Sequence, residues 1–137
     1  MREITDHKLN GLNEALKVIA IDRPGPGGAN HKYAIELHPE GCESPKHAVV
    51  LSFQNGPIGS PADMNGITGE AILAVAIDRL RGFQFTRDDA GNYTKAPGPF
   101  ACRENAIALT KLEEALMWLQ KRTLDRVLRG VEGTNQK

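Results

Sequence analysis

Residues 100–130, FACRENAIALTKLEEALMWLQKRTLDRVLRG, form the longest strongly periodic stretch of the 137-residue chain. Leucines recur in it at alternating spacings of three and four residues, which places them on one helix face: Leu109, Leu112, Leu116 and Leu119. The interior lacks glycine and proline, and Gly130 is the residue type preferred after a helix C-terminus. The stretch predicts a helix of roughly 40 Å that must bury its leucine face against another element.

Two arginines near the end of this helix, Arg122 and Arg126, are four residues apart and therefore neighbours on its surface. Arg126 falls beside the leucine face, and Trp118 extends the arginine row by one turn toward the N-terminus. Two interpretations stay open at this point. Basic residues near a helix C-terminus commonly complement the helix dipole. Two planar guanidinium groups side by side also suit a bound phosphate.

The composition limits the classes of function. Lysine and arginine together number 17, as do aspartate and glutamate, so the net charge of zero argues against a general DNA- or RNA-binding protein. No apolar run is long enough to span a membrane, and the polar N-terminus does not resemble a targeting signal. We therefore expect a cytoplasmic protein without a membrane partner. The length predicts one domain over residues 1–137, and Cys42 and Cys102 are expected as free thiols.

The N-terminal part predicts a small antiparallel β-meander over residues 14–55. Three apolar or alternating stretches, at 15–21, 31–38 and 47–53, are typical of strands and are separated by turn residues. The polar residues 1–13 are expected to wrap over the fold without forming a core element.

A second helix is predicted from Thr68 to Arg81, with Thr68 as its N-terminal cap and Gly82 as its stop. The connection 83–99 contains two prolines and a Gly-Asn pair and is expected to hold a small hairpin. Both helices then form an antiparallel helical hairpin over residues 68–130, which gives an α+β fold with a long C-terminal helix. Because the shorter helix cannot cover the longer one, we expect self-association, most simply as a two-fold dimer.

Six motifs follow one another along nearly the whole chain. They are ITDHKLNGLNEAL (4–16), PGGANHKY (26–33), LSFQNGPI (51–58), IDRLRGF (77–83), CRENAIALTKLEEALMWLQKRT (102–123) and RGVEGT (129–134). This ordered set resembles the phage-encoded anti-Thoeris proteins, which sequester cyclic ADP-ribose signals. The helical-hairpin domain of that family is shared with shorter anti-CBASS proteins that bind cyclic dinucleotides and trinucleotides.

The resemblance implies a non-catalytic protein, without cofactor or metal, that captures an immune messenger and does not cleave it. It also implies a dimer or a higher assembly such as a hexamer, with the ligand near subunit junctions. By position, Asn105, Arg122 and Arg126 match the family's polar ligand contacts, and Phe83 matches a loop phenylalanine that stacks on the base. Phe85 and Phe100 are the alternatives for that ring. Some family members have a second, trinucleotide pocket, to which we assign no residue.

These side chains suit a cyclic ADP-ribose isomer, which carries a pyrophosphate, two riboses and an adenine. The arginines can bracket the pyrophosphate, and an asparagine offers both a donor and an acceptor. An aromatic ring stacked on the base contributes about 1–3 kcal/mol. A glycine-rich loop could add an anion site through its backbone N–H groups, although a plain turn is the alternative. The further candidates are Gly27, Gly28, Ala29, Asn30 and Trp118.

Other patterns do not favour catalysis. Four side chains that bind metals elsewhere lack the close spacing of a zinc site: His31, His38, Cys42 and His47. Glu113 and Glu114 are adjacent on the helix, so they point in different directions and do not form a catalytic pair. Cys102 is expected to be a buried small residue. The alternative function is a helix-mediated dimerisation or protein-docking module without a small ligand, whereas an enzyme would need a base or metal that no motif supplies.

Overall fold

The computed structural model describes residues 1–130, which divide into two compact units. The first comprises Met1–Gly56 and Met64–Ile67, and the second comprises Pro57–Asp63 and the chain from Thr68 onward. The first contains a β-sheet and the second a helical hairpin, so the α+β fold is confirmed. Residues 131–134 of the RGVEGT motif lie outside the described residues. That residues 1–137 form a single domain stays a prediction.

Within residues 1–130, the first unit is built on a four-stranded antiparallel sheet. Its strands, in spatial order, are β1 (Arg2–Ile4), β2 (Leu16–Ala20), β3 (Lys32–Leu37) and β4 (His47–Ser52). The three predicted strands are confirmed. The expectation that residues 1–13 contribute no core element is wrong, because β1 pairs with the open edge of β2. A three-residue strand shows no periodicity, and only the backbone pairing reveals it.

The two faces of this sheet are both thinly covered. Ala20 and Ala34 are the buried hydrophobic side chains described in this unit, at 1% and 6% exposure. Ala20 is paired with Tyr33, the neighbour of Ala34, so the two alanines lie on opposite faces. The Tyr33 ring also packs edge-on against Phe53, with 5.6 Å between ring centroids. The buried hydrophobic side chains described in this sheet are therefore both small.

Just beyond β4, Phe53 pairs in parallel with Ile67. The chain between them returns so closely that a Cβ added at Gly66 would lie 2.4 Å from the carbonyl carbon of Phe53. Backbone atoms cannot move aside as a flexible side chain can. Glycine is therefore required here by close approach of the backbone.

The second unit begins its helical part with α1 (Gly69–Gln84). Thr68 caps it as predicted, since its hydroxyl accepts a hydrogen bond from the Ala71 N–H at 3.2 Å. The predicted stop at Gly82 is wrong, because the Phe85 N–H still donates to the Arg81 carbonyl. One glycine in a helix costs only about 1 kcal/mol, which local packing easily offsets.

A two-stranded antiparallel hairpin follows, formed by β5 (Phe85–Arg87) and β6 (Tyr93–Pro97), as the sequence predicted. The Tyr93 hydroxyl lies 2.8 Å from Asp78 Oδ1 on α1 and accepts a hydrogen bond from Arg87. The Arg87 guanidinium also stacks 4.2 Å from the centroid of the Tyr93 ring. Partial burial and the bond to Asp78 raise the pKa of the Tyr93 phenol. These contacts fasten the hairpin to α1.

The long helix is α2 (Arg103–Leu128), and Gly130 adopts the left-handed conformation (φ +66°) expected after its C-terminus. Cys102 is its N-terminal cap, with Sγ accepting the Asn105 N–H at 3.4 Å. Contrary to the expectation of burial, Cys102 is exposed; its position is that of an N-terminal cap, which faces the first N–H groups of the helix. Among the described residues, neither helix is long and apolar enough to cross a membrane.

The two helices pack against each other along the predicted leucine face. Leu109 and Ile77 are the buried hydrophobic side chains described in this unit, at 5% and 3% exposure. The other three leucines of the face are only half-buried: Leu112, Leu116 and Leu119. One α1 helix therefore leaves the apolar surface of α2 incompletely covered, as the unequal helix lengths predicted.

Candidate functional site

The C-terminal half of α2 carries a shallow hollow of about 250 Å³. Five side chains from successive helical turns line it: Trp118, Lys121, Arg122, Asp125 and Arg129. Lys121 donates to the Asp125 carboxylate at 2.7 Å, and the Arg129 side chain donates to the Asp125 carbonyl at 3.4 Å. Three cations against one carboxylate leave this surface positive, which favours a bound anion.

Of the predicted residues, Arg122 and Trp118 meet in this hollow. Trp118 is 63% exposed and offers an uncovered ring. Arg126, which was predicted with Arg122 as a ligand contact, is half-buried and does not line this hollow. Lys121 and Arg129 are additional cations that the sequence analysis did not select. The available signal was helical spacing, because Lys121 lies three residues after Trp118 and Arg129 lies seven residues after Arg122.

Phe83 lies in the last turn of α1, not in the following loop, because α1 continues through Gly82. Its ring is half-buried, and the Arg79 guanidinium carbon is 5.1 Å from the ring centroid. Arg79 is four residues earlier on the same helix, so this contact follows from helical geometry. Of the alternative rings, Phe85 begins β5 and is half-buried, whereas Phe100 is 71% exposed.

Asn105 lies in the first turn of α2 and is half-buried. The end of α1 is close to this turn, because the Gln84 side chain accepts a hydrogen bond from the Cys102 N–H at 3.2 Å. Phe83, one residue before Gln84, therefore lies at the same end of the helical hairpin as Asn105. We call this pair of residues the aromatic end.

Arg122 and Arg126 form the opposite end of the hairpin, which we call the basic end. Along α2, Asn105 and Arg122 are separated by about 25 Å, from the helical rise per residue. A straight helix cannot bring two such positions onto one small molecule. Within one chain, the structure thus groups the four main candidates into two pairs rather than one site.

In the glycine-rich loop between β2 and β3, two backbone N–H groups donate hydrogen bonds to carbonyls of the loop itself. The Gly25 N–H donates to the Ala29 carbonyl at 2.8 Å, and the Gly28 N–H donates to the Gly25 carbonyl at 2.9 Å. Gly28 has φ +84°, which favours glycine in this turn. Gly27 is on the same turn and would meet no atom within 4 Å if it carried a Cβ. These bonds are those of a plain turn.

Asn30 and the residue after it hold the Asp22 carboxylate at the exit of this loop. The Asn30 amide donates to Asp22 Oδ1 at 3.2 Å, and the His31 N–H donates to Asp22 Oδ2 at 2.9 Å. Burial alone would raise the pKa of Asp22, but these donors outweigh it and leave the pKa below its ordinary value. A carboxylate of the chain itself therefore already occupies these donors.

Within the described part of the chain, His, Cys, Asp and Glu side chains nowhere gather in threes that could hold a metal ion. His38 contacts the Glu36 carboxylate at 2.7 Å, and Cys42 is an exposed free thiol. Glu113 forms an ion pair with Arg81 of α1 at 3.7 Å, so it helps join the two helices.

The chain combines an antiparallel sheet with a helical hairpin whose long helix has a basic surface, and its sequence matches a known family with a hairpin domain. The family model described as the Acb2/Tad1 hairpin domain matches residues 46–124, more than half of the chain, and the chain belongs to this family. The family membership indicated by the sequence motifs is thereby confirmed. The matched residues include Phe83, Asn105 and Arg122 but end before Arg126.

Among curated proteins, the chain is similar to Thoeris anti-defense 1 of Bacillus phage SBSphiJ7. The two are 47% identical over 88 residues, which is 64% of this chain and 53% of the relative. The match therefore spans about half the length of that relative.

Proposed function

We propose that this protein binds and sequesters a cyclic nucleotide immune signal without cleaving it, in the cytoplasm of a phage-infected bacterium. The proposed ligand is a cyclic ADP-ribose isomer such as glycocyclic ADP-ribose, and the proposal extends to CBASS cyclic di- and trinucleotides. Its effect would be to protect a phage from Thoeris defence. Family membership and the name of the phage relative support this proposal.

The observation that carries the proposal is the separation of the aromatic end from the basic end. The family resemblance assigns base stacking to Phe83 and a polar ligand contact to Arg122, yet these residues belong to ends about 25 Å apart along α2. If a second copy packs with its α2 antiparallel to the first, its basic end lies beside the first copy's aromatic end. Two equivalent sites then form across a two-fold axis, each with residues from both copies.

The uncovered apolar surface of α2 supports this assembly. Six large apolar side chains of α2 are exposed: Ile107 (43%), Met117 (56%), Trp118 (63%), Leu124 (62%), Val127 (55%) and Leu128 (83%). Exposed apolar side chains in such number on one helix are typical of protein contact surfaces. The proposed assembly is a dimer or a multiple of dimers up to a hexamer.

The same exposed surface favours a second candidate function. A helix that only docks a protein partner would also present Trp118 and Met117 to solvent. In that case the arginines would be solvated and would complement the dipole of α2, and no small molecule would bind. The two candidates therefore differ in whether a cyclic nucleotide binds with measurable heat.

Calorimetric titration with glycocyclic ADP-ribose tests the proposal. We expect tight binding, and we expect heat denaturation followed by chromatography to return the ligand intact. Arg122→Ala should weaken binding, whereas Arg2→Ala, which removes an exposed arginine from β1, should not. Altered ligand would point to an enzyme. Absence of heat with this ligand and with cyclic di- and trinucleotides would favour the docking module.

A further inference from the structure

The outer edge of β4 is an unprotected strand edge. β4 is last in the sheet order, pairs with β3 without a register break, and contains no proline. All of its residues except Leu51 are exposed, including Val49 (49%) and Val50 (59%). Residues 47–55 carry no lysine, arginine, aspartate or glutamate. Soluble proteins usually protect such edges with charges, proline or bulges, so an edge without them is suited to pairing with another strand.

Hydrogen bonds at the end of β4 show which backbone groups face outward. The Phe53 N–H donates to the His31 carbonyl on the β3 side at 2.7 Å, whereas the Ser52 carbonyl accepts from the Ile67 N–H on the opposite side at 2.8 Å. Backbone groups alternate between the two sides of a strand. Ala48 and Val50, in phase with Ser52, therefore direct their N–H and C=O groups away from β3.

We propose that β4 pairs antiparallel with β4 of a second copy, which joins the two sheets edge to edge. The arrangement is centred on Val49, opposite the same residue of the second copy. Ala48 of each copy then exchanges both backbone hydrogen bonds with Val50 of the other. A register centred on Val50 is disfavoured, because it would require Ser52, whose outward side is already covered by Ile67.

Charge and symmetry favour a second copy over an unrelated peptide. Residues 47–55 carry no lysine, arginine, aspartate or glutamate, so two-fold pairing of β4 brings no like charges together. The nearest charge, Lys46, precedes β4 and lies three residues from the symmetry centre, so it does not face its own symmetry mate. The thin cover of this sheet adds a reason, since each sheet would gain a neighbouring strand. This contact is independent of the ligand and of the α2 surface.

Paired charge variants at the symmetric position test the proposal. Val49→Lys and Val49→Glu each place like charges opposite one another, so each alone should abolish amide-exchange protection at Ala48 and Val50. We expect a loss of roughly tenfold or more. When the two variants are refolded together in equal amounts, mixed pairs place lysine opposite glutamate and should restore protection. Val49→Thr, which stays neutral and β-branched, should keep protection throughout.

Rapid exchange of both amides in the wild-type protein would refute the pairing. Protection that survives both charged substitutions, or that the mixture fails to restore, would instead show that the edge is covered by something other than a symmetric copy.

Disulfide trapping provides a second measurement if the charged variants fold poorly. In a Cys42→Ser, Cys102→Ser background, Val49→Cys should form a cross-linked dimer on mild oxidation, because opposed residues of such a pair lie about 4.5 Å apart. Val50→Cys is off the symmetry centre and should cross-link far less. Equal cross-linking by the two variants would contradict the register.

Discussion

A complementation experiment tests whether one ligand site is built from two copies. Phe83→Ala removes the ring of the aromatic end, and Arg122→Ala removes a guanidinium of the basic end. Losing the stacked ring should cost about 1–3 kcal/mol, a loss in affinity of roughly 5- to 150-fold. Losing a charge-assisted hydrogen bond should cost about 1.5–3 kcal/mol. Each variant alone should therefore bind weakly.

The mixed dimer behaves differently if the two ends come from different copies. One of its two sites lacks both side chains, whereas the other takes Phe83 from the Arg122→Ala chain and Arg122 from the Phe83→Ala chain. Co-expression with two different affinity tags and tandem purification isolates this mixed dimer. Calorimetry should then give wild-type affinity at about half the wild-type stoichiometry.

A site contained in one chain predicts the opposite result. Both chains of the mixed dimer would carry a damaged site, and no wild-type binding would return. The mass of the mixed dimer in solution must show that it is intact. Loss of all wild-type binding would then refute the argument from the separation of about 25 Å between Asn105 and Arg122 along α2. The tandem-purified wild-type dimer is the matched control.

Three further predictions concern the fold. Leu109→Ala should destabilise the helical hairpin by about 2–5 kcal/mol in chemical denaturation, because Leu109 is 5% exposed, whereas Leu128→Ala (83% exposed) should change stability little in the monomer. Gly66→Ala should lower the melting temperature of the sheet unit, because its Cβ would collide with the Phe53 backbone; an unchanged melting curve would contradict that contact. The lowered pKa of Asp22 means that its carboxylate stabilises the fold above the ordinary aspartate range, and that this contribution disappears as the pH falls through the folded-state pKa. The protection factor of the His31 amide, which is the exchange rate of an unstructured peptide at the same pH divided by that of the amide, should therefore fall in acid, and Asp22→Asn should remove this dependence.

The sequence predicted the elements with strong periodicity. The leucine spacing identified α2, and alternation with β-branched residues identified β2, β3 and β4, because those patterns follow directly from helical and strand geometry. It failed where the signal was weak. The strand β1 is too short to show a pattern, and Gly82 did not end α1, because a single glycine costs less than the packing around it contributes.

For the candidate site, the sequence supplied the residue types, and the family resemblance supplied the roles proposed for them. It did not reveal that Phe83 is helical, that Arg79 lies against its ring, or that Lys121 and Arg129 join Arg122 around one hollow. Contacts between elements depend on how the backbone returns on itself, which local periodicity does not encode.

The sequence by itself determined the two-part α+β architecture and an amphipathic helix longer than its partner, because hydrophobic period and chain length are local properties. Only the tertiary structure decided which residues share a surface. By packing α1 antiparallel on α2, it placed Phe83 at the same end of the hairpin as Asn105 and at the opposite end from Arg122, since a helix is a rigid rod with a fixed rise per residue. The same packing left one apolar face of α2 uncovered, because one shorter helix cannot enclose a longer one.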